Sequence, residues 1–383
     1  MRKFAQCAGD GWARFAVDFK NLVQLCVQVG AVSATHQLLP SGGPKMTLSV
    51  QSYHDTKGFE ALTGEWNALL HRSPADTIFL TLEYQRTWWR NLGEGELLIL
   101  AVRDDGKLVG IAPLFATEDA QGQRVLTTVG CVEVSDYLDL IVAREREGEV
   151  YGALVDYLAG PGAPAWDALD LCNIHQDSPT LELLPALAET RGWAIETARD
   201  DVCPIVQLPA TWDEYLQMLS KKQRHEVRRK MRRLEAQVET NWYIVGPEHD
   251  LQTETEDFLD LMAASTPGKA EFLTPRMRNF FRQLTPVAYD AGWLQLAFLK
   301  VGGQKAAAYL NFIYDNRVLV YNSGLDWRTF PKLGAGIVLT AYCIRHAIER
   351  GREAFDFMQG DERYKYQFGG QDVEVRRLVI RRT

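Results

Sequence analysis

The 383-residue sequence lacks any run long and apolar enough to cross a bilayer. Its best candidate, Leu22 to Val29, is too short and too polar, and no convincing small-residue cleavage site follows it. It also lacks paired cysteines. Six are scattered singly (Cys7, Cys26, Cys131, Cys172, Cys203, Cys343), without CxxC spacing or a Cys/His cluster, so no metal site is expected. Free, mostly buried thiols in a reducing cytoplasm are expected instead. Charge of one sign is missing too: the net charge is −8, with acidic and basic residues mixed along the chain. That excludes a protein whose main work is coating nucleic acid. No Ser/His/Asp or Cys/His arrangement points to a covalent intermediate.

What is present is an ordinary globular composition, 46% apolar and 24% charged, in a chain long enough for two domains. Residues 1–45 stand apart, sparsely charged and closed by Pro40-Ser41-Gly42-Gly43-Pro44. They read as a poorly ordered extension or as sequence upstream of a natural start at Met46. From there helix and strand alternate. Apolar residues at helical spacing mark Gly58 to Arg72 and Leu82 to Leu92. Strands at 97–102 and 108–115 flank Asp105-Gly106, a hairpin signal because these residues tolerate positive φ. Strands near 125–129, 137–142, 168–172 and 194–197, with helices at 145–158 and 181–191, complete a first half of residues 46–200.

The second half, 201–383, opens with a strand at 204–209, and Thr211 with Glu214 forms a capping-box pattern. A basic helix spans 221–238, a strand 240–245, and helices 252–265 and 275–291. Strands at 294–300, 305–314 and 317–323 then turn at Gly302-Gly303 and Asp315-Asn316. The strand–turn–strand order of 97–115 and 294–312 is the same, which reads as an internal duplication.

The segment with most chemical content runs from Tyr321 to Gly336 and enters an amphipathic helix over 337–350. Gly334 and Gly336 at a helix entrance let backbone N–H groups approach an anion, where the helix end adds about half a positive charge. Lys332 is placed to add a formal charge; the alternative is a glycine-assisted turn with no ligand. Further on, Asp361, Glu362, Tyr364 and Lys365 offer a base, an acid and a cation within five residues. Asp361 reads first as the cap of a short helix, and Lys365 alternatively as a structural ion pair. In the basic helix, Arg224 and Arg228 share a face, either solvated or set to hold an acidic acceptor or donor phosphate.

The order of elements and the turn Pro331-Lys332-Leu333-Gly334-Ala335-Gly336 resemble the acyl-CoA site of the GNAT acyltransferases, with Pro331 where that family usually has Arg or Gln. The run Phe355 to Gly369, with Asp-Phe, Gly-Asp-Glu and Tyr-Lys-Tyr in order, is similar to the closing motif of the CelD-like branch, associated with cellulose and exopolysaccharide biosynthesis. The helix Leu219 to Leu234 looks like that branch's basic helix. The branch is related to the FemAB-type aminoacyl transferases. The resemblance implies an α/β (α+β) fold of two tandem GNAT-like units, each a mixed, mostly antiparallel sheet flanked by helices. The first unit would be a degenerate copy without a donor site.

It further implies acetyl-CoA or another acyl-CoA as donor, bound by Asn322, Ser323, Gly324, Leu325, Lys332, Leu333, Gly334, Ala335 and Gly336, with Arg224, Arg228 and Asp356 toward the substrate. The reaction implied is direct attack by an amine or hydroxyl of a small metabolite or saccharide precursor. No nucleic-acid partner is expected, and association with polysaccharide-synthesis machinery fits. Aminoacyl transfer from tRNA and a non-catalytic adaptor are the competing readings.

Overall fold

A computed structural model describes residues 48–131, 134–237, 239–329 and 333–382. Both readings of residues 1–45, the start at Met46, and the assignments to Pro331 and Lys332 lie outside the described residues.

The first half comprises β1 (Leu48–Tyr53), α1 (Lys57–Ala61), α2 (Trp66–Leu70), α3 (Leu82–Leu92), β2 (Glu96–Asp104), β3 (Lys107–Glu118), β4 (Arg124–Thr128), β5 (Ile141–Val142), α4 (Glu147–Ala159), β6 (Ala168–His175), α5 (Thr180–Glu189) and β7 (Ala194–Gln207). The second holds α6 (Trp212–Met218), α7 (Lys221–Gln237), β8 (Thr240–Ile244), α8 (Leu251–Ser265), α9 (Pro267–Phe272), α10 (Pro275–Asp290), β9 (Leu294–Val301), β10 (Gln304–Tyr314), β11 (Arg317–Leu325), α11 (Ala335–Glu349), β12 (Ala354–Asp356), α12 (Arg363–Gln367) and β13 (Gln371–Arg381).

The hairpins form where the turn residues demand it. Asp105 and Gly106 (φ 46° and 79°), Gly302 and Gly303 (57° and 78°), and Asp315 and Asn316 (44° and 55°) all take the left-handed conformation that two-residue turns require. Thr211 and Glu214 close the capping box that starts α6. The helix expected over 58–72 is instead α1 and α2, interrupted at Leu62 to Glu65, where Gly64 weakens a continuous helix.

One sheet carries both halves, in the order β1-β2-β3-β4-β6-β13-β7-β12-β11-β10-β9-β8. Read from either edge the order repeats: a four-stranded antiparallel run, then a parallel partner returned by a helix. β4 pairs with β6 in parallel over 125–127, and β11 with β12 over 317–319. The last strand of each half is exchanged. β7 pairs with β12, β13 pairs with β6, and the two pair with each other. A boundary at residue 200 therefore falls inside one 14-residue strand, and residues 46–383 form one compact unit. The fold is mixed α/β with a large, mostly antiparallel sheet flanked by helices.

The sheet's faces are covered differently. One face carries a single apolar core, running from Phe59, Trp66 and Trp88 through Phe258, Phe280 and Phe281 to Phe312 and Tyr321, so both halves share it. The opposite face has one core per half: Val150, Leu154 and Leu184 under α4 and α5, and Leu234, Val338 and Ile344 under α7 and α11.

A parallel pair leaves an opening where its strands diverge. In the first half the chain fills its own opening: Cys131 and Cys172 are joined in a disulfide, Leu138 N–H donates to Asn173 O (3.0 Å), and Asn173 Nδ2 donates to Ser135 O (2.7 Å). The expectation of free thiols is thus corrected for Cys131 and Cys172, while Cys203 and Cys343 are free and buried. In the second half the opening persists.

Candidate active site

The site begins with the strand that feeds it. β11 carries an extra residue against β10: Leu310 faces Asn322 and Asn311 faces Val320, which leaves Tyr321 unpaired. Such a bulge bends a strand and re-aims the residues beyond it. Past Leu325 the chain turns on Asp326, whose Oδ1 accepts from Arg328 N–H (3.1 Å) and Thr329 N–H (3.0 Å). It enters α11 at Gly334, which caps the helix with φ 68° and ψ 39° and gives it no side-chain cap. Only glycine takes that left-handed conformation without strain. The first intrahelical bond runs from Val338 N–H to Gly334 O (3.1 Å), so the amides of Ala335, Gly336 and Ile337 precede the ladder.

Those residues open onto a cavity of about 270 Å³, walled by Ala307, Ala308 and Tyr309 of β10, Ser323, Gly324 and Leu325 of β11, and Thr340 and Tyr364. A methyl carbon added at Gly334 would sit 3.0 Å from Lys230 Nζ. The cation at the helix mouth is therefore Lys230 of α7, itself 3.6 Å from Glu226. Exposed Trp327 stands at the cavity's rim with the Arg328 guanidinium over its ring.

At the inner end, Thr340 Oγ1 donates to Gly336 O and is 2.8 Å from Tyr309 Oη. Burial pushes the Tyr309 phenol up to about 12 and holds the Tyr364 phenol well above its ordinary value. Both stay protonated at neutral pH, and the two phenols interact with each other, the Tyr364 hydroxyl turned toward Tyr309. On the far side of β11, Lys269 of α9 donates to Ser323 O (2.6 Å) and Ser323 Oγ (3.1 Å). Burial pushes its ammonium down to about 8, against the pull of Glu362.

Of the donor-site residues expected from sequence, Ser323, Gly324, Leu325, Gly334, Ala335 and Gly336 come together on the cavity. Leu333 packs against the core beneath α11, and Asn322 spends its Oδ1 on Ser323 N–H (3.1 Å). Leu325 N–H is given to Ser265 Oγ (2.7 Å), so these last two amides are engaged within the fold and do not polarise a thioester.

The closing motif divides. Tyr364 lines the cavity, whereas Lys365 is buried, its ammonium donating to Met358 O (3.0 Å), Gln359 O (2.6 Å) and Gly360 O (3.1 Å) and pairing with Glu362 (2.9 Å). It clamps a loop whose Met358 is left-handed (φ 59°), so the structure gives it the ion-pair role and no free valence for substrate. Burial raises the Glu362 carboxyl, but the Lys365 hydrogen bond and charge outweigh it and hold the group below its ordinary value. Asp361 is exposed and does not cap α12, whose N-cap is Glu362.

Asp356 is buried, accepting from Tyr137 Oη (2.8 Å) and Met358 N–H (2.7 Å), away from the donor cleft. Arg228 is exposed beside Asp213 (3.5 Å), and neither it nor Arg224 reaches the cavity. Sequence reasoning missed Lys230, Lys269, Tyr309 and Thr340; the small-residue run Ala306-Ala307-Ala308 was the legible sign of a strand lining a cleft.

A family model described as "Acetyltransferase (GNAT) domain" matches residues 221–366, which span α7, the bulged strand, the glycine turn and Tyr364. Residues 221–366 are a GNAT acetyltransferase domain.

Solved structures agree on the fold around this GNAT domain. FemX aligns with a TM-score of 0.61 at 13% identity, over 86% of this chain and 96% of that one. A conserved protein of unknown function from Bacteroides thetaiotaomicron VPI-5482 aligns at 0.56 and 11%, over 87% and 100%. The C-terminal domain of a putative lysylphosphatidylglycerol synthetase from Agrobacterium fabrum aligns at 0.51 and 13%, over 85% and 92%. At such identities the likeness is one of fold. No curated relative matches the chain in sequence.

Proposed function

We propose that the protein is an acyltransferase that moves an acyl group from acyl-CoA to an amine or hydroxyl of a small metabolite or polysaccharide precursor, by direct attack and in the cytoplasm, where such donors are made. The carrying observation is the uncapped mouth of α11, open on a cavity with Lys230 beside it. Its amides and that ammonium suit a pyrophosphate, and the apolar walls Ala307, Ala308 and Leu325 suit a pantetheine arm.

The chain's residues then have distinct tasks. The acceptor's nucleophile attacks the thioester carbon from the Ser323 side of β11, and the C–S bond breaks. Tyr364 gives its proton to the departing sulfur. Lys269, partly unprotonated near pH 8, or the Glu362 anion takes the proton lost by the nucleophile. The CelD-like similarity of the closing motif favours a sugar or polysaccharide precursor as acceptor. Aminoacyl transfer is the second reading, favoured by the FemX-like fold.

Isothermal titration with acetyl-CoA and a longer acyl-CoA tests the proposal. Saturable binding is expected, and Gly334→Asp is expected to abolish it by putting a carboxylate in the anion seat on a strained backbone. Binding that survives this change, or its absence in the unmodified protein, overturns the assignment.

A further inference from the structure

A second cavity, of about 310 Å³, opens at the other end of β11 and is built by both halves of the sheet. It has no part in the donor reading. Leu319, on its wall, lies four residues before Ser323, roughly 13 Å along an extended strand from the thioester position.

Five carboxylates line it, but three are satisfied from within. Asp139 accepts from Ser178 Oγ, Thr180 Oγ1 (2.5 Å) and Leu140 N–H (2.7 Å). Asp76 is bonded to Tyr314 Oη (2.6 Å) and His71 Nδ1 (2.9 Å), and Asp356 to Tyr137 Oη and Met358 N–H. The other two, Asp177 and Asp315, are exposed.

The cations are the reverse. Arg144 and Arg317 both line the cavity, and neither side chain has a hydrogen-bond or ion-pair partner among the described residues. Both arginines are exposed, so their guanidiniums meet solvent as well as the cavity. His175 Nδ1 accepts from Asp177 N–H (3.2 Å), so the ring's proton is on Nε2, leaving it a further donor.

We propose that this cavity binds a small polar molecule through an oxyanion, a carboxylate or a phosphate, gripped by Arg144 and Arg317. Planar guanidiniums match such groups in pairs of parallel hydrogen bonds. Because three of the five lining carboxylates are satisfied within the fold and neither arginine side chain is partnered among the described residues, an oxyanion completes the site where a cationic ligand would not. Its walls come from 74–80, 137–144 and 175–178 on one side and 314–319 on the other, so an occupant also braces the two halves against each other.

The test is calorimetric titration of the full chain with inorganic phosphate and, separately, succinate, at constant ionic strength held by chloride. Saturable binding of at least one probe is expected, weakened about tenfold or more in Arg317→Ala and in Arg144→Ala, with acetyl-CoA affinity unchanged. The better probe identifies phosphate or carboxylate as the natural group. Because phosphate also suits the mouth of α11, the titration is repeated on Gly334→Asp, where binding is expected to persist. Absence of saturable binding, equal affinity in both arginine variants, or loss only in Gly334→Asp overturns the proposal. The last outcome leaves the donor reading intact, and failure of acetyl-CoA to bind leaves this one intact.

Discussion

Tyr364 and Lys365 are adjacent in the chain and do opposite work. Tyr364 faces the cavity as a phenol kept protonated by burial, while Lys365 is spent on three carbonyls and Glu362. Tyr364→Phe removes the proton for the leaving sulfur without changing the cavity's shape. Turnover is expected to fall about 100-fold or more, with acetyl-CoA affinity unchanged by titration. An equal loss of affinity would mean the ring binds and does not donate. Lys365→Met instead leaves Glu362 and three carbonyls unpaired where the loop is left-handed. Glu362 is exposed and is resolvated, but each buried carbonyl left without its donor costs about 1–3 kcal/mol, so a large drop in the urea midpoint is expected. Lysine at 365 was legible as chemistry in the sequence; which chemistry depended on the carbonyls of Met358 to Gly360 converging on it, a matter of loop path.

At the scale of elements, what the sequence showed best was what local chemistry dictates. The hairpins at Asp105-Gly106, Gly302-Gly303 and Asp315-Asn316 and the glycine mouth of α11 arise from φ preferences and were readable. Tertiary placement was not. Lys230 is one of many cations on α7, and only the packing of that helix against α11 brings it to Gly334. Lys269 sits on a six-residue helix with no motif around it.

The loop after β12 meets a segment of the first half in the same way. Asp136 is pushed up to about 7 and Asp356 to about 6, each chiefly by burial and each raised further or relieved by neighbouring charges. Carboxyls raised on folding favour the folded state fully below their unfolded values, near pH 4. That advantage is lost as pH rises through 6 to 7. Chemical denaturation between pH 4 and 8 is therefore expected to show stability falling across this window, and Asp136→Asn is expected to flatten the fall. An unchanged profile in Asp136→Asn would remove this segment from the effect.

Across residues 46–383 the exchange of last strands decides how the molecule holds together. Each half could be read as a unit from its repeated strand order, but nothing local in the sequence says that β7 and β13 trade places. Arg199-Asp200-Asp201 in mid-strand even looks like a linker, because the sheet leaves that stretch of β7 exposed. The consequence is mechanical: β13 is the last element of the chain, yet it is hydrogen-bonded to β6 of the first half over 168–175 and to β7 over 194–205. Removing residues 371–383 strips a ladder from both halves at once and takes Leu378 and Ile380 out of the first half's core under α4 and α5. Loss of the whole fold is expected, seen as loss of the circular-dichroism transition, and the intact chain is expected to melt in one cooperative step by both circular dichroism and tryptophan fluorescence. Residues 46–200 and 201–383 made separately divide β7 and are expected not to fold alone. Should 201–383 by itself bind acetyl-CoA with full affinity, the exchanged strands would be ornament to an autonomous transferase and not the frame that holds the donor cleft open.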